Sequence, residues 1–170
     1  MNWHSRLRQK GASNPPGCDR AAALIGADDP PPFTLVNPGR RRPILLVCDH
    51  ASRAVPRALT RLGLDDETLR RHIGWDIGAA ELTRRLAARL DAPAVLAGYS
   101  RLVIDLNRPP GDPQSILAES DGVIVPGNTG LSPEAQEERA EIFHWPYHHA
   151  VDQAFARLRR HGPEPLFFSV

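Results

Sequence analysis

Ile44 to Val47 is an unbroken run of aliphatic residues, preceded by Pro43 and closed by Asp49-His50. A run without polar alternation suits a strand buried on both faces, as in a parallel or mixed sheet flanked by helices. From Asp76 to Leu90 the period lengthens. Ile77, Leu82, Leu86 and Leu90 recur mostly at four-residue spacing, which predicts an amphipathic helix with Arg84, Arg85 and Arg89 facing solvent. Ala94 to Ala97 and Leu102 to Ile104 are two short strand candidates. Ser132-Pro133-Glu134 reads as a helix start: a capping hydroxyl, proline at the first helical position, then an acid near the positive end of the dipole. That helix is expected to run to about Arg160, with a kink or break at Pro146. Leu166 to Val170 predicts another buried strand, and the chain stops inside it.

The segments between these elements add the organisation. Residues 1–32 hold Gly11, Pro15, Pro16, Gly17 and Pro30 to Pro32 with little periodicity, so a mobile leader is expected there. The folded part then covers residues 33–170. Asn107 to Gly130 is rich in Pro, Gly, Asp and Ser and reads as a long irregular loop. Loops of that length inside a domain usually carry function. The order strand, helix, strand, strand, helix, strand predicts an α/β fold, a three-layer α/β/α domain with a mixed sheet. Because the last strand is cut short, the C-terminal part of such a domain is expected to be absent.

Size and charge narrow the function classes. A chain of 170 residues is one domain with room for a substantial core. A formal charge of +1 gives no argument for nucleic acid or an anionic membrane, and the arginines at 40–42 and 159–160 have no interleaved aromatics. No stretch approaches the roughly 18 apolar residues of a membrane span. The basic start, Met1 to Lys10, is not followed by the apolar run of a secretory signal. Cys18 and Cys48 form no CxxC pair, so a reduced cytoplasmic protein is expected, with Cys48 a buried inert thiol.

The candidate chemistry clusters at strand ends. Asp49-His50 directly follows the first buried strand, where open α/β sheets bind ligands. A histidine there can offer a ring nitrogen to a metal, with a neighbouring carboxylate to orient it; it can equally bond a nearby carbonyl. His72 and Asp76 lie four residues apart and suit either a metal pair or a hydrogen-bonded pair, although Gly74 weakens the helix and Asp76 can serve as its cap. Arg101, Val103 and Asp105 alternate along a predicted strand, with Asn107 and Arg108 at its exit. Arg108 can grip a carboxylate bidentately and Asn107 can add a neutral donor; a plain Asp–Arg pair fits the same spacing. Asp105 needs a partner so close to an apolar run, and an arginine is the obvious one. His144, His148 and His149 surround Trp145-Pro146-Tyr147, and neither HExxH nor GxSxG occurs.

These pieces together resemble one family. Val47-Cys48-Asp49-His50-Ala51-Ser52, His72-Ile73-Gly74-Trp75-Asp76-Ile77-Gly78-Ala79 and Ser100-Arg101-Leu102-Val103-Ile104-Asp105-Leu106-Asn107-Arg108-Pro109 are similar to segments of N-formylglutamate amidohydrolases. So are Ile124-Val125-Pro126-Gly127-Asn128 and Pro146-Tyr147-His148, in the same order along the chain. The resemblance implies a fold similar to zinc-dependent exopeptidases and a zinc ion (Zn2+) as cofactor. It implies hydrolysis of the amide of N-formyl-L-glutamate or another small carboxylated N-acyl amino acid. His50 is then a zinc ligand from the first strand, with Asp76 or His72 as the second. Asn107 and Arg108 hold a substrate carboxylate and Arg101 is a second clamp. His148 and Asp49 are the candidate catalytic or supporting groups. The family's usual continuation, with a further histidine ligand and a downstream glutamate base, is not in this chain, so a non-catalytic carboxylate-binding or regulatory module is the alternative.

Overall fold

Ile44–Cys48 forms the strand that the unbroken run predicts, and it sits inside the sheet with both faces covered. The protein's structure, a computed structural model, describes residues 24–170. Four strands make a mixed sheet in the order β1, β3, β2, β6: β1 is Phe33–Val36, β2 Ile44–Cys48, β3 Ala94–Ala97 and β6 Leu166–Ser169. β2 runs parallel to both β3 and β6, and β1 closes the far edge antiparallel to β3.

Two helices make the outer layers. The short helix α1 (Asp66–Arg70) precedes α2 (Ala79–Leu90), which leads into β3. After α3 (Pro133–Arg139), α4 (Trp145–His161) leads into β6. The Cys48 thiol meets Thr83 of α2, and burial first of all pushes that thiol up. Val47, the residue before it and pointing the other way, shares a wall with Tyr147 and Val151 of α4. The expected α/β/α sandwich is present. No helix among the described residues is long and apolar enough to cross a membrane.

Several predicted details change. α2 starts at Ala79, and its inward face carries Thr83 and Ala87, while Ile77 and Leu82 are 65% and 50% exposed. The inward face is displaced one residue, about 100° of rotation, from the stripe of larger apolar residues. Small side chains let the helix approach the sheet closely, and that contact overrides the local pattern. Leu102 to Ile104 is buried as an apolar run should be, but forms a turn rather than a strand. Ser100 explains this: its carbonyl accepts from the Val103 N–H at 2.9 Å, and its hydroxyl accepts from the Leu102 N–H at 3.2 Å. Such local bonds compete with sheet pairing.

The expected irregular loop contains a hairpin, β4 (Glu119–Ser120) and β5 (Val123–Ile124). Its turn is Asp121-Gly122, with φ of 55° and 75°, the two positive values that a tight two-residue hairpin turn requires. Pro146 does not break the last long helix. A π turn at Ala140–His144 precedes it, with the Trp145 N–H bonded to the Ala140 carbonyl, so Pro146 falls near the start of α4 where a missing N–H is tolerated. β6 is not buried: all four of its residues are exposed, because β6 is the edge of the sheet.

Of the expected leader, residues 1–23 lie outside the described residues. The remainder is held against the domain. Arg57 bonds Asp28 at 2.7 Å, the Gly98 N–H donates to the Pro32 carbonyl at 2.8 Å, and the Tyr99 hydroxyl donates to the Pro30 carbonyl. A Cβ on Gly98 would sit 2.0 Å from the Pro31 carbonyl oxygen, so only glycine admits this approach.

Candidate active site

Backbone bonds bring the loops at the end of β2 into one place. The Asp76 N–H donates to the His50 carbonyl at 3.0 Å, and the Arg101 N–H to the Gly74 carbonyl at 3.1 Å. The Ser100 N–H donates to the Ala54 carbonyl at 2.8 Å, and the Asp105 N–H to the Ser115 carbonyl at 2.7 Å. From the other side, the buried Arg139 guanidinium donates to the carbonyls of Val103 and Gly127, each at 3.0 Å, and to Asn128 Oδ1 at 2.7 Å. Burial pulls that guanidinium down to about 10, and its oxygen partners fix the Leu102–Asp105 turn against α3.

Asp105 is the hub. Its buried carboxylate accepts from His50 Nε2 at 2.7 Å and from the Asn107 N–H at 3.0 Å. Arg101 and Arg108 each approach its other oxygen at 3.4 Å. Desolvation opposes its charge, but the bonds from His50 and Asn107 outweigh it and hold the carboxyl below its ordinary value. His50 is buried too. Desolvation works against its protonation, and the Asp105 bond, with the charges of Asp105 and Asp76, overcomes it, so the ring is held above its ordinary value. Its Nδ1 lies 3.3 Å from Oδ2 of the half-exposed Asp76, whose other oxygen is 3.5 Å from Arg101.

A cleft of about 370 Å³ opens on one side of this hub, lined by Asp49, Asn107, Arg108, His144, Tyr147 and His148 among others. Asp49 accepts from the Tyr147 hydroxyl at 2.5 Å; burial and the Asp49 charge drive that phenol strongly up. A second, polar hollow of about 210 Å³ lies beside Arg101 and Asp105 and reaches His72 and Asp121.

The structure therefore gathers His50, Asp76, Arg101, Asn107 and Arg108 around Asp105. His72 is exposed and bonds Asp121 at 2.9 Å; it makes no bond to His50 or Asp76. The carboxylate that orients His50 is Asp105, not its neighbour Asp49, which is taken up by Tyr147. His148 donates from Nε2 to the Leu106 carbonyl at 2.8 Å. Sequence reasoning missed Asp105 as the partner of His50 and gave no role to Tyr147 or His144. The signal for Asp105 was a carboxylate beside an apolar run, but nothing local named a histidine as its partner.

His50 Nδ1 and Asp76 Oδ2 fit a pair of donors for one metal ion, with Asp105 on the opposite ring nitrogen in the position of an orienting carboxylate. Among the described residues no group of three or more His, Cys, Asp or Glu side chains is arranged to hold one. The residues present would supply two donors toward a metal ion.

A family model described as N-formylglutamate amidohydrolase matches residues 42–170. The crystal structure of a gene product from Agrobacterium tumefaciens is similar, with a TM-score of 0.84 and 29% sequence identity. The match covers 88% of this chain and 60% of that one, so this chain spans less than two thirds of its length. No curated protein matches.

Proposed function

The chain belongs to the N-formylglutamate amidohydrolase family, and from that premise we propose that it works in the metal-dependent hydrolysis of the amide bond of N-formyl-L-glutamate or a similar N-acyl amino acid. What supports this function above all is the cluster around Asp105, in which one oriented histidine stands between two carboxylates and two arginines face separate clefts.

Each residue has a task in this proposal. Arg108, 40% exposed and lining the larger cleft, offers its guanidinium to a substrate carboxylate, with the exposed Asn107 amide beside it. Arg101, turned to the smaller hollow, is placed for a second carboxylate. Asp105 neutralises both arginines in part and keeps Nε2 of His50 protonated, leaving Nδ1 for a metal shared with Asp76. A zinc ion held there would supply Lewis acidity toward the acyl carbonyl and an acidified water. Tyr147 holds Asp49 at the cleft wall.

A carboxylate-binding module without turnover is the second reading, and the two-donor metal set favours it. One experiment separates them: formate release from N-formylglutamate with zinc added, beside calorimetric binding of the same compound. Formate release that disappears in His50→Ala supports the hydrolase. Saturable binding without release supports the module, and neither binding nor release overturns both.

A further inference from the structure

We propose that His144 and His148, brought to bear by the π turn at Ala140–His144, are positioning residues that hold the Asn107–Arg108 segment in its binding conformation. The two rings lie against each other one helical turn apart, with centroids 4.3 Å apart and a tilt of 35°. His144 Nε2 donates to the Arg108 carbonyl at 3.1 Å and His148 Nε2 to the Leu106 carbonyl at 2.8 Å. The bonds straddle Asn107. From the opposite side, the Asn107 N–H donates to Asp105 Oδ1 at 3.0 Å and the Arg108 N–H to the Asp105 carbonyl at 3.3 Å. Carbonyls of the segment are thus held by the two histidines, and its N–H groups by Asp105.

The π turn explains how one helical run reaches both the Leu102–Asp105 turn and this segment. Arg139, at the end of α3, grips the Val103 carbonyl, and His144, five residues on, grips that of Arg108. On a continuous α-helix, positions five apart point about 140° away from each other. The wider turn, with its i to i+5 bonding, brings them toward one side. His144 is buried and its Nδ1 has no hydrogen-bond partner, so the ring contributes here only the Nε2–H that Arg108 uses. A buried polar atom left unpaired is retained at a cost, which fits a ring kept for its other nitrogen.

The assignment of a binding task to this segment rests on the carboxylate-clamp reading of Arg108, whereas the mechanical role does not. The test uses the full chain with His144→Leu, His148→Leu and the matching Gln variants, since Gln Nε2 keeps a donor at similar reach. Amide hydrogen exchange at Asn107 and Arg108 is measured by NMR, with the amides of α2 as a reference for global stability, and glutarate is titrated as the dicarboxylate probe. The Leu variants should exchange at these two amides at least about tenfold faster relative to α2, and bind glutarate about tenfold more weakly. The Gln variants should keep wild-type values for both. Unchanged relative exchange in both Leu variants overturns the proposal, as does a Gln variant that folds and yet exchanges as fast as its Leu counterpart. Faster exchange with unchanged glutarate affinity upholds the positioning role and removes the carboxylate role of Arg108.

Discussion

His50 Nε2 and Asp105 Oδ1 lie 2.7 Å apart, both buried, although 55 residues separate them in the chain. A charge-assisted bond in this setting is stronger than a neutral one, and losing one partner strands the other away from water. Asp105→Ala should destabilise the fold by about 3 kcal/mol, whereas Asp105→Asn, which still accepts from Nε2, should do so by about 1–2 kcal/mol. Urea unfolding of the two variants checks this; equal stability of wild type and Asp105→Ala would remove the hub.

The same pair sets a pH window in the metal-free chain. His50 is raised, so its contribution is complete below its unfolded value of about 6.5 and fades as pH climbs through the folded value. Asp105 is lowered, so its contribution is complete above about 3.8 and is lost in acid. The bond should support the fold most between those limits. NMR titration of the His50 ring should give a midpoint above 6.5 that drops in Asp105→Asn.

His144 acts with the opposite sign. Burial, and next the neighbouring His148, bring it down to about 4. A depressed histidine stabilises the fold above its unfolded value near 6.5, and that contribution is lost as pH falls toward 4, on the order of 3 kcal/mol in all. Between pH 6.5 and 4, stability should therefore fall less steeply in His144→Gln than in wild type. Parallel curves from denaturation at several pH values would contradict a neutral buried ring.

Metal and carboxylate binding should separate by residue. His50→Ala should lose bound zinc, measured by elemental analysis after dialysis, while Arg108→Ala should retain it and bind glutarate about 10–100-fold more weakly. Zinc retained in the His50 variant would sink its role as a ligand, and unchanged affinity in the Arg108 variant would sink the clamp.

β6 offers a further test. Phe167 and Phe168 are 55% and 52% exposed on β6, the outermost strand of the sheet among the described residues, and an uncovered strand edge recruits other strands. Phe168→Lys should lower self-association of this chain in light scattering without altering its helical signal. Phe167 is a poorer choice because it packs on Phe155.

The sheet was legible where local pattern and final environment agree. Leu45 to Cys48 and Ala94 to Ala97 are apolar without alternation because each is covered on both faces. Ser132-Pro133 predicted the start of α3, and the Ser132 hydroxyl does accept from the Ala135 N–H. The inward face of α2 was misread because its contact with the sheet selects small residues, Thr83 and Ala87, over larger apolar ones. Asp121-Gly122 carried a hairpin signal that its Pro- and Gly-rich surroundings hid. His50, Arg101, Asn107 and Arg108 could be singled out one by one from position and chemistry. Their convergence on Asp105 could not, since it depends on pairings such as Asp76 to His50 and Arg101 to Gly74 that no short window contains.

Those backbone pairings have an energetic consequence. They form when the chain folds, and they leave His50, Asp105 and the Asn107–Arg108 backbone already oriented before any ligand arrives. The entropy of ordering that backbone is then charged to folding rather than to association, and the dipoles around the cleft have little left to reorganise when a charge enters.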